Sequence, residues 1–460
     1  MNLSVAVVGG GVSGLAAAHR LSVLLGPSAR ITVLESESRV GGVLRTVELA
    51  GTAYDVGAEA FLARRPEVPA LLAELGLGAQ LVHPGGAAPA VLAGGRVRPL
   101  PARTLMGVPS TAESLRGVVS DAALARVQAE PGTAFDWSPG EDPTVGELVR
   151  SRLGQEVVAR SVDPLLGGVY SGSADSLGLR ATVPALAAAL DAGAPGLLAG
   201  VAAALPPPRP GVPVFGALRG GYGVLLEALA AVVDVRLGAR VATVTRAASG
   251  WDVMVGGRAE AFDAVVLAVP APELARLLGR TVEVELASVA VVGLAYTELP
   301  ELPDTSGLLV ATGEPMHAKA FTHSSRKWPH LAHGPVLVRA SLGRFGQTAV
   351  LEHADDELVA LVRADLRVVH GISAAPVDAV VQRWTDGLPQ YGPGHPGVVS
   401  RLEAAVAALD GLEVAGSLLH GVGVPACIGT GRAAASRVAE HLAGRGASGA
   451  PVAPWGHGTP

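Results

Sequence analysis

Residues 5–45 read VAVVGGGVSGLAAAHRLSVLLGPSARITVLESESRVGGVLR. The apolar run Val5–Val8 predicts a buried strand, the glycines after it a tight turn, the alanine-rich stretch to Leu25 an amphipathic helix, and Ile31–Leu34 a second strand. Gly9, Gly11 and Gly14 have the spacing Gly-x-Gly-x-x-Gly between strand and helix, and the carboxylate of Glu35 follows 21 residues after Gly14. In that setting the pattern is a dinucleotide-binding fingerprint. Gly9 permits the turn, Gly11 lets a pyrophosphate approach the backbone, and Gly14 lets helix and strand pack closely. Glu35 is placed to accept from ribose hydroxyls, while the helix N-terminus at Val12 and Ser13 offers amides and a partial positive charge.

The next residues decide which dinucleotide. Ser36, Arg39 and the adjacent Gly41 and Gly42 add backbone amides that phosphate oxygens can use. An ordinary NAD domain has no need of this extension. The stretch Glu-x(3)-Arg-x-Gly-Gly-x(2)-Arg resembles the FAD-binding segment of the amine-oxidase-like flavoproteins, which include monoamine oxidases, phytoene desaturases and protoporphyrinogen oxidases. The resemblance implies FAD as cofactor.

Composition sets outer limits. A chain of 460 residues holds two or three domains and a large core. Hydrophobic residues make up 49% and mean hydropathy is +0.41, yet small aliphatic residues and glycine dominate and aromatics are only 3%. The most apolar stretch, 183–205, contains Asp191, Pro195 and several glycines, which argues against a spanning helix. Peripheral membrane contact stays open. Met1 leads directly into the first strand without a basic leader, and Cys427 is the single cysteine, so a cytoplasmic protein without disulfides is expected. The net charge of −6 argues against a nucleic-acid binder. Only Lys319 and Lys327 are lysine, a skew towards arginine that looks like high-GC coding bias.

Further along, Tyr54–Val56 reads as strand before the small-residue turn Gly57-Ala58, where backbone could lie against a flat ring. A helix is expected over 66–75, a hairpin over 90–100 and a mixed helical region over 109–168. Residues 197–213, with three consecutive prolines, read as a connector, followed by a helix over 224–233 and strands over 235–244, 251–255 and 262–269. A strand-rich segment covers 289–342, and a strand, glycine turn and helix over 412–442 precede a Gly-, Pro- and Ala-rich tail, 446–460, expected to be disordered.

The strings DVGAEAFLARR, GGVYSGSADSLGLRAT, HAKAFTHSSRKWPH, QRWTDGLPQYGPGH and AGSLLHGVGVPACIGTGRAAA, with the N-terminal motifs, resemble the protoporphyrinogen oxidase family over nearly the whole chain. They are most similar to its Gram-positive branch, whose members act as coproporphyrinogen III oxidases. The resemblance implies an α/β fold: a Rossmann-like FAD domain from 1–64, 212–284 and 384–445, an α+β substrate domain from 65–90, 172–211 and 285–383, and a helical insertion, 91–171. It also implies FAD contacts at Gly57, Ala58, Val241, Gly416, Gly421, Val422 and Val424.

The implied reaction removes six electrons from a porphyrinogen in three hydride transfers to flavin N5, with molecular oxygen reduced to peroxide and the product available to a ferrochelatase. The flavin carries the chemistry, so no catalytic triad and no metal are expected. Arg65, Arg64 and Tyr391 are the candidate substrate contacts, Arg65 first, for the propionates. Glu59 stands where eukaryotic relatives have arginine, which favours the coproporphyrinogen branch. Protoporphyrinogen IX remains an alternative substrate, and another oxidase of the superfamily or a flavin carrier without turnover are the rival readings.

Overall fold

The computed structural model describes residues 3–207, 211–297 and 302–448. The chain divides into two compact units. Unit 1 combines Met1–Gly42, Leu226–Val282 and the chain from Arg401 onward, and unit 2 combines Val43–Leu225 and Glu283–Ser400.

Unit 1 is built on a five-stranded parallel sheet. In spatial order its strands are Asp234–Arg236, Arg30–Leu34, Ser4–Val8, Ala264–Leu267 and Leu412–Val414. Numbered along the chain, that order is 3-2-1-4-5, so the direction of winding reverses beside the first strand. Val5, Val7 and Ala264–Leu267 are fully buried, as strands covered on both faces must be. Helix Val12–Leu25 follows the first strand, and helix Val424–Ser448 packs against it. A Cβ at Gly431 would lie 2.2 Å from Ser13 O, so that close approach needs glycine.

Unit 2 holds a seven-stranded sheet. Its order is Asp378–Pro389, Leu286–Tyr296, Val336–Leu342, Ala318–Thr322, Gly307–Val310, Pro89–Ala93 and Arg96–Pro99. Helix Asp355–His370 covers one face with Leu358, Val362 and Leu366. On the other face the hairpin Thr46–Leu49/Thr52–Asp55 packs Leu49 and Tyr54 against Val291, Ala295 and Leu337. Gly293 supplies the gap for the Tyr54 ring, because a Cβ there would stand 3.0 Å from it. The helical region includes Asp121–Ala129, Val145–Leu153 and Asp163–Tyr170.

Several expectations need correction. Residues 43–64, expected with the nucleotide domain, fall in unit 2, because their hairpin is bound to that sheet. The hairpin expected over 90–100 is present as Pro89–Ala93 and Arg96–Pro99, and because Pro89–Ala93 pairs in parallel with Gly307–Val310 it belongs to the seven-stranded sheet and not to the helical insertion expected from 91. The connector 197–213 begins with a helix, Leu197–Ala204, whose apolar residues Leu197, Leu198 and Val201 are buried. The strand expected over 235–244 is two strands, broken where Gly238 takes φ +63°. The last helix runs to Ser448, so 446–448 are helical, and the rest of the expected tail, 449–460, lies outside the described residues. No helix among the described residues is long and apolar enough to cross a membrane.

Candidate functional site

In unit 1 the predicted nucleotide residues collect at the carboxyl edge of the parallel sheet. Gly9 N donates to Leu34 O at 2.9 Å, Ala268 N to Val8 O at 2.8 Å and Ala415 N to Leu267 O at 2.9 Å, which aligns the strand ends. Gly9 has φ +103°, and a Cβ there would meet Ala268 O at 2.3 Å; one at Gly14 would meet Gly9 O at 1.9 Å. Packing within the chain therefore requires both glycines. A Cβ at Gly11 would meet nothing within 4 Å. That open space lies at the start of helix Val12–Leu25, whose first turn has neither a side-chain cap nor an acidic residue. The amides of Val12 and Ser13 are left for an acceptor, and the site fits a pyrophosphate.

Glu35 is buried and organises this turn. Its Oε2 accepts from Gly10 N at 2.6 Å, and its Oε1 from Glu37 N at 2.8 Å and Ser36 Oγ at 3.2 Å. Gly41 N donates to Gly10 O at 2.8 Å, tying the second glycine segment to the first. Arg39 curls over its own loop, donating to Val40 O at 3.0 Å and Gly42 O at 2.7 Å. Val241 opens the strand Val241–Ala247 just after Ala239, whose amide donates to Glu35 O at 2.7 Å. Gly416, at φ +136°, donates to Thr430 Oγ1 at 3.1 Å and leaves open space where a Cβ would be. Gly421, at φ +137°, Val422 and Val424 lead into the last helix. Burial pushes the neighbouring Cys427 thiol up to about 11, so it is no nucleophile at neutral pH.

In unit 2 the small-residue turn at Gly57-Ala58 is held from several sides. Arg339 donates to Asp55 O at 2.7 Å and Gly57 O at 2.6 Å, and Trp384 Nε1 donates to Val56 O at 2.8 Å. A Cβ at Gly57 would stand 2.1 Å from Val43 O. Glu59 accepts from Lys327 Nζ at 3.0 Å and Trp328 Nε1 at 2.6 Å. Burial alone would raise the Glu59 carboxyl, but the charges of Lys327 and Arg339 and these hydrogen bonds hold it below its usual range. Asp55 accepts from Thr46 Oγ1 at 2.5 Å and Tyr222 N at 3.1 Å, yet burial pushes its pKa up to about 7.

The predicted substrate contacts are not gathered with this turn. Arg65 is exposed and pairs with Glu67 at 2.5 Å, two residues along the chain. Arg64 is exposed beside it. Tyr391 is buried, its ring stacked on His395 with centroids 3.9 Å apart. Arg339, Trp384, Lys327 and Trp328 were not among the expected site residues, although Lys327, Trp328 and Trp384 lie in the strings that carry the resemblance. One signal was present: Arg339 sits alone in the apolar strand sequence VLVRASL. A charge at the centre of such a strand needs buried partners.

The parallel sheet of unit 1 with its glycine turns has the form of a dinucleotide-binding fold, and similarity to known proteins gives the class. The family described as "Flavin containing amine oxidoreductase" matches residues 12–439, and the chain belongs to it. It is an FAD-dependent oxidoreductase. Over 451 residues it is 49% identical to the coproporphyrinogen III oxidase of Mycobacterium bovis, covering 95% of this chain and 98% of the relative. It is 28% identical over 467 residues to the coproporphyrinogen III oxidase of Bacillus subtilis, covering 95% of this chain and 98% of the relative. A solved structure from Exiguobacterium sp., named for protoporphyrinogen oxidation, superposes with TM-score 0.85 at 27% identity over 96% of this chain and 99% of that one. Cyclohexylamine oxidase from Brevibacterium oxydans superposes with TM-score 0.72 at 15% identity over 96% of this chain and all (100%) of that one, a likeness of fold alone.

Proposed function

We propose that this protein oxidises coproporphyrinogen III to coproporphyrin III in haem biosynthesis, using FAD and molecular oxygen. The observation that carries the reading is the 49% identity to a coproporphyrinogen III oxidase across 95% of this chain. The balanced reaction takes three dioxygen molecules to three hydrogen peroxide molecules as six electrons and six protons leave the macrocycle. When bound, FAD supplies a two-electron hydride acceptor that oxygen can re-oxidise.

The chain's own part is holding and placing. The amides of Val12 and Ser13 and the open face of Gly11 receive the pyrophosphate, with Gly41, Gly42, Gly416 and Gly421 shaping the surrounding loops and Glu35 fixing the first turn. Gly57 and Ala58 are candidate contacts of the cofactor in unit 2. Arg65, with Arg64, is the candidate propionate contact, and it would have to leave Glu67 to act. The product, a tetracarboxylate porphyrin, would pass to a ferrochelatase in the cytoplasm.

Anaerobically prepared coproporphyrinogen III and protoporphyrinogen IX, each given in air to the purified yellow protein, test the reading through porphyrin fluorescence and peroxide. Faster formation of coproporphyrin, with about three peroxides per porphyrin, is expected. Preference for protoporphyrinogen IX would move the assignment one substrate along, and no oxidation above the spontaneous rate would remove it.

A further inference from the structure

The chain has only two lysines, and both are turned inward. Lys327 is answered by the carboxylate of Glu59 at 3.0 Å. Lys319 is 6% exposed and has no carboxylate partner among the described residues. Its Nζ donates to Ser171 Oγ at 2.7 Å and to Gly343 O at 2.5 Å, and an ammonium has a third N–H to place. The charges close enough to act on it are those of Arg344 and Arg339, both of its own sign, and burial adds to them in pushing the amine well below its ordinary range. Arg339 acts on Glu59 and Arg344 is matched by Asp163, which leaves Lys319 unmatched. A buried amine without an opposite charge is costly, so its presence points to an anion from outside the chain.

A bulge aims this amine. Ala318 and Phe321 both pack into the core beside helix Asp355–His370, with two residues between them where a regular strand would have one. The pairing with Val336–Leu342 slips at the same place, from Ala318 opposite Leu342 to Ala320 opposite Ser341. Lys319 and Ala320 therefore both stand on the other face of the sheet. On that face Leu309, Ala320 and Ser341 form one row across three strands, and Gly307, Thr322 and Arg339 the next; all six are half-buried. The small side chains among them leave room for a ligand, and every residue named belongs to unit 2. Ser171 takes φ +52°, a left-handed backbone uncommon outside glycine, and its carbonyl accepts from Phe345 N at 2.7 Å. The two acceptors that hold the amine are thus tied to one another.

We propose that Lys319 is a carboxylate-binding residue of the substrate site: its ammonium receives one propionate of a macrocycle lying on this half-open sheet face, while Ser171 and Gly343 hold the amine in place. This rests on the reading that the substrate is a propionate-bearing porphyrinogen. Lysine suits the task where arginine would not, because a buried lysine takes a proton from solvent as the anion arrives and returns it as the anion leaves.

The test is binding of coproporphyrin III, the tetracarboxylate product, to the FAD-loaded protein, followed by porphyrin fluorescence for wild type, Lys319→Met and Lys319→Gln. The tetramethyl ester of coproporphyrin III, in neutral detergent, is the probe without carboxylates. Both variants are expected to bind the acid at least about ten-fold more weakly and the ester as wild type does. Unchanged binding of the acid overturns the proposal, and so does equal weakening of acid and ester. Should Lys319→Met not hold FAD, Lys319→Gln, which keeps a donor for Gly343 O, decides by the same two readings. A wild-type protein that oxidises coproporphyrinogen III while its variants bind the acid normally keeps the proposed function and loses the role of Lys319. A wild-type protein that neither oxidises coproporphyrinogen III nor binds coproporphyrin III removes both.

Discussion

A methyl group added at Gly11 meets no atom within 4 Å, whereas one added at Gly14 comes within 1.9 Å of Gly9 O. Gly11 also has an ordinary backbone, φ −69° and ψ 173°, that alanine adopts freely. Gly11→Ala is therefore expected to fold and, without flavin, to be more stable by about 0.4–1 kcal/mol through the unfolded chain. At the proposed pyrophosphate site the same methyl would stand in the phosphate approach, so FAD affinity is expected to fall at least about ten-fold, or about 1.4 kcal/mol. Gly14→Ala should instead lose stability and flavin together. Thermal melts of the apoproteins and fluorescence titration with FAD separate the two cases. At Arg65 the exposed pair with Glu67 is worth about 1 kcal/mol or less, so Arg65→Gln should leave the melting temperature nearly unchanged. A propionate role would then show as a raised KM for coproporphyrinogen with little change in kcat.

At the scale of elements, the hairpin and turn from Thr46 to Glu59 carry buried charge that a strand pattern does not announce. The folded pKa of Asp55, about 7, lies above its ordinary value of 3.8 because burial disfavours the carboxylate. The folded protein thus holds this proton more tightly than the unfolded chain, and the associated stability is present at low pH and lost as pH rises from 3.8 to about 7. Asp55→Asn should flatten that part of the stability profile, measured by urea unfolding across the window. Lys327 and Glu59 form a largely buried pair at 3.0 Å. Lys327→Met leaves the carboxylate behind and is expected to cost about 3 kcal/mol, with part recovered by adding Glu59→Gln. Periodicity and turn chemistry revealed the strand and the small-residue turn here, since those signals are local. The donors are 284 residues away for Arg339 and 328 for Trp384. Sheet register brings them in, and register is not written in any single segment.

Across the whole molecule, the glycine turns at the two ends of the chain were both legible, and each lies at a strand end of one parallel sheet in unit 1. Which intervening segments join which unit was less so: the hairpin over 46–55 follows directly from the nucleotide motif yet packs with unit 2, for apolar contacts rather than proximity in sequence decide it. Because strand Leu412–Val414 and helix Val424–Ser448 complete unit 1, a chain ending at residue 400 is expected to retain no flavin on gel filtration, judged by absorbance of the protein peak.

The same discontinuity orders events during synthesis. After strand Arg30–Leu34 has been made, 377 further residues must be added before the strand that closes the sheet begins at Leu412. At about 5–20 residues per second that interval is roughly 20–75 seconds. For all of it the apolar strand Ser4–Val8 lacks its partner Ala264–Leu267 or that strand's own neighbour, and the last helix is absent from the first. Flavin loading is therefore expected only after the last strand and helix of unit 1 have been made.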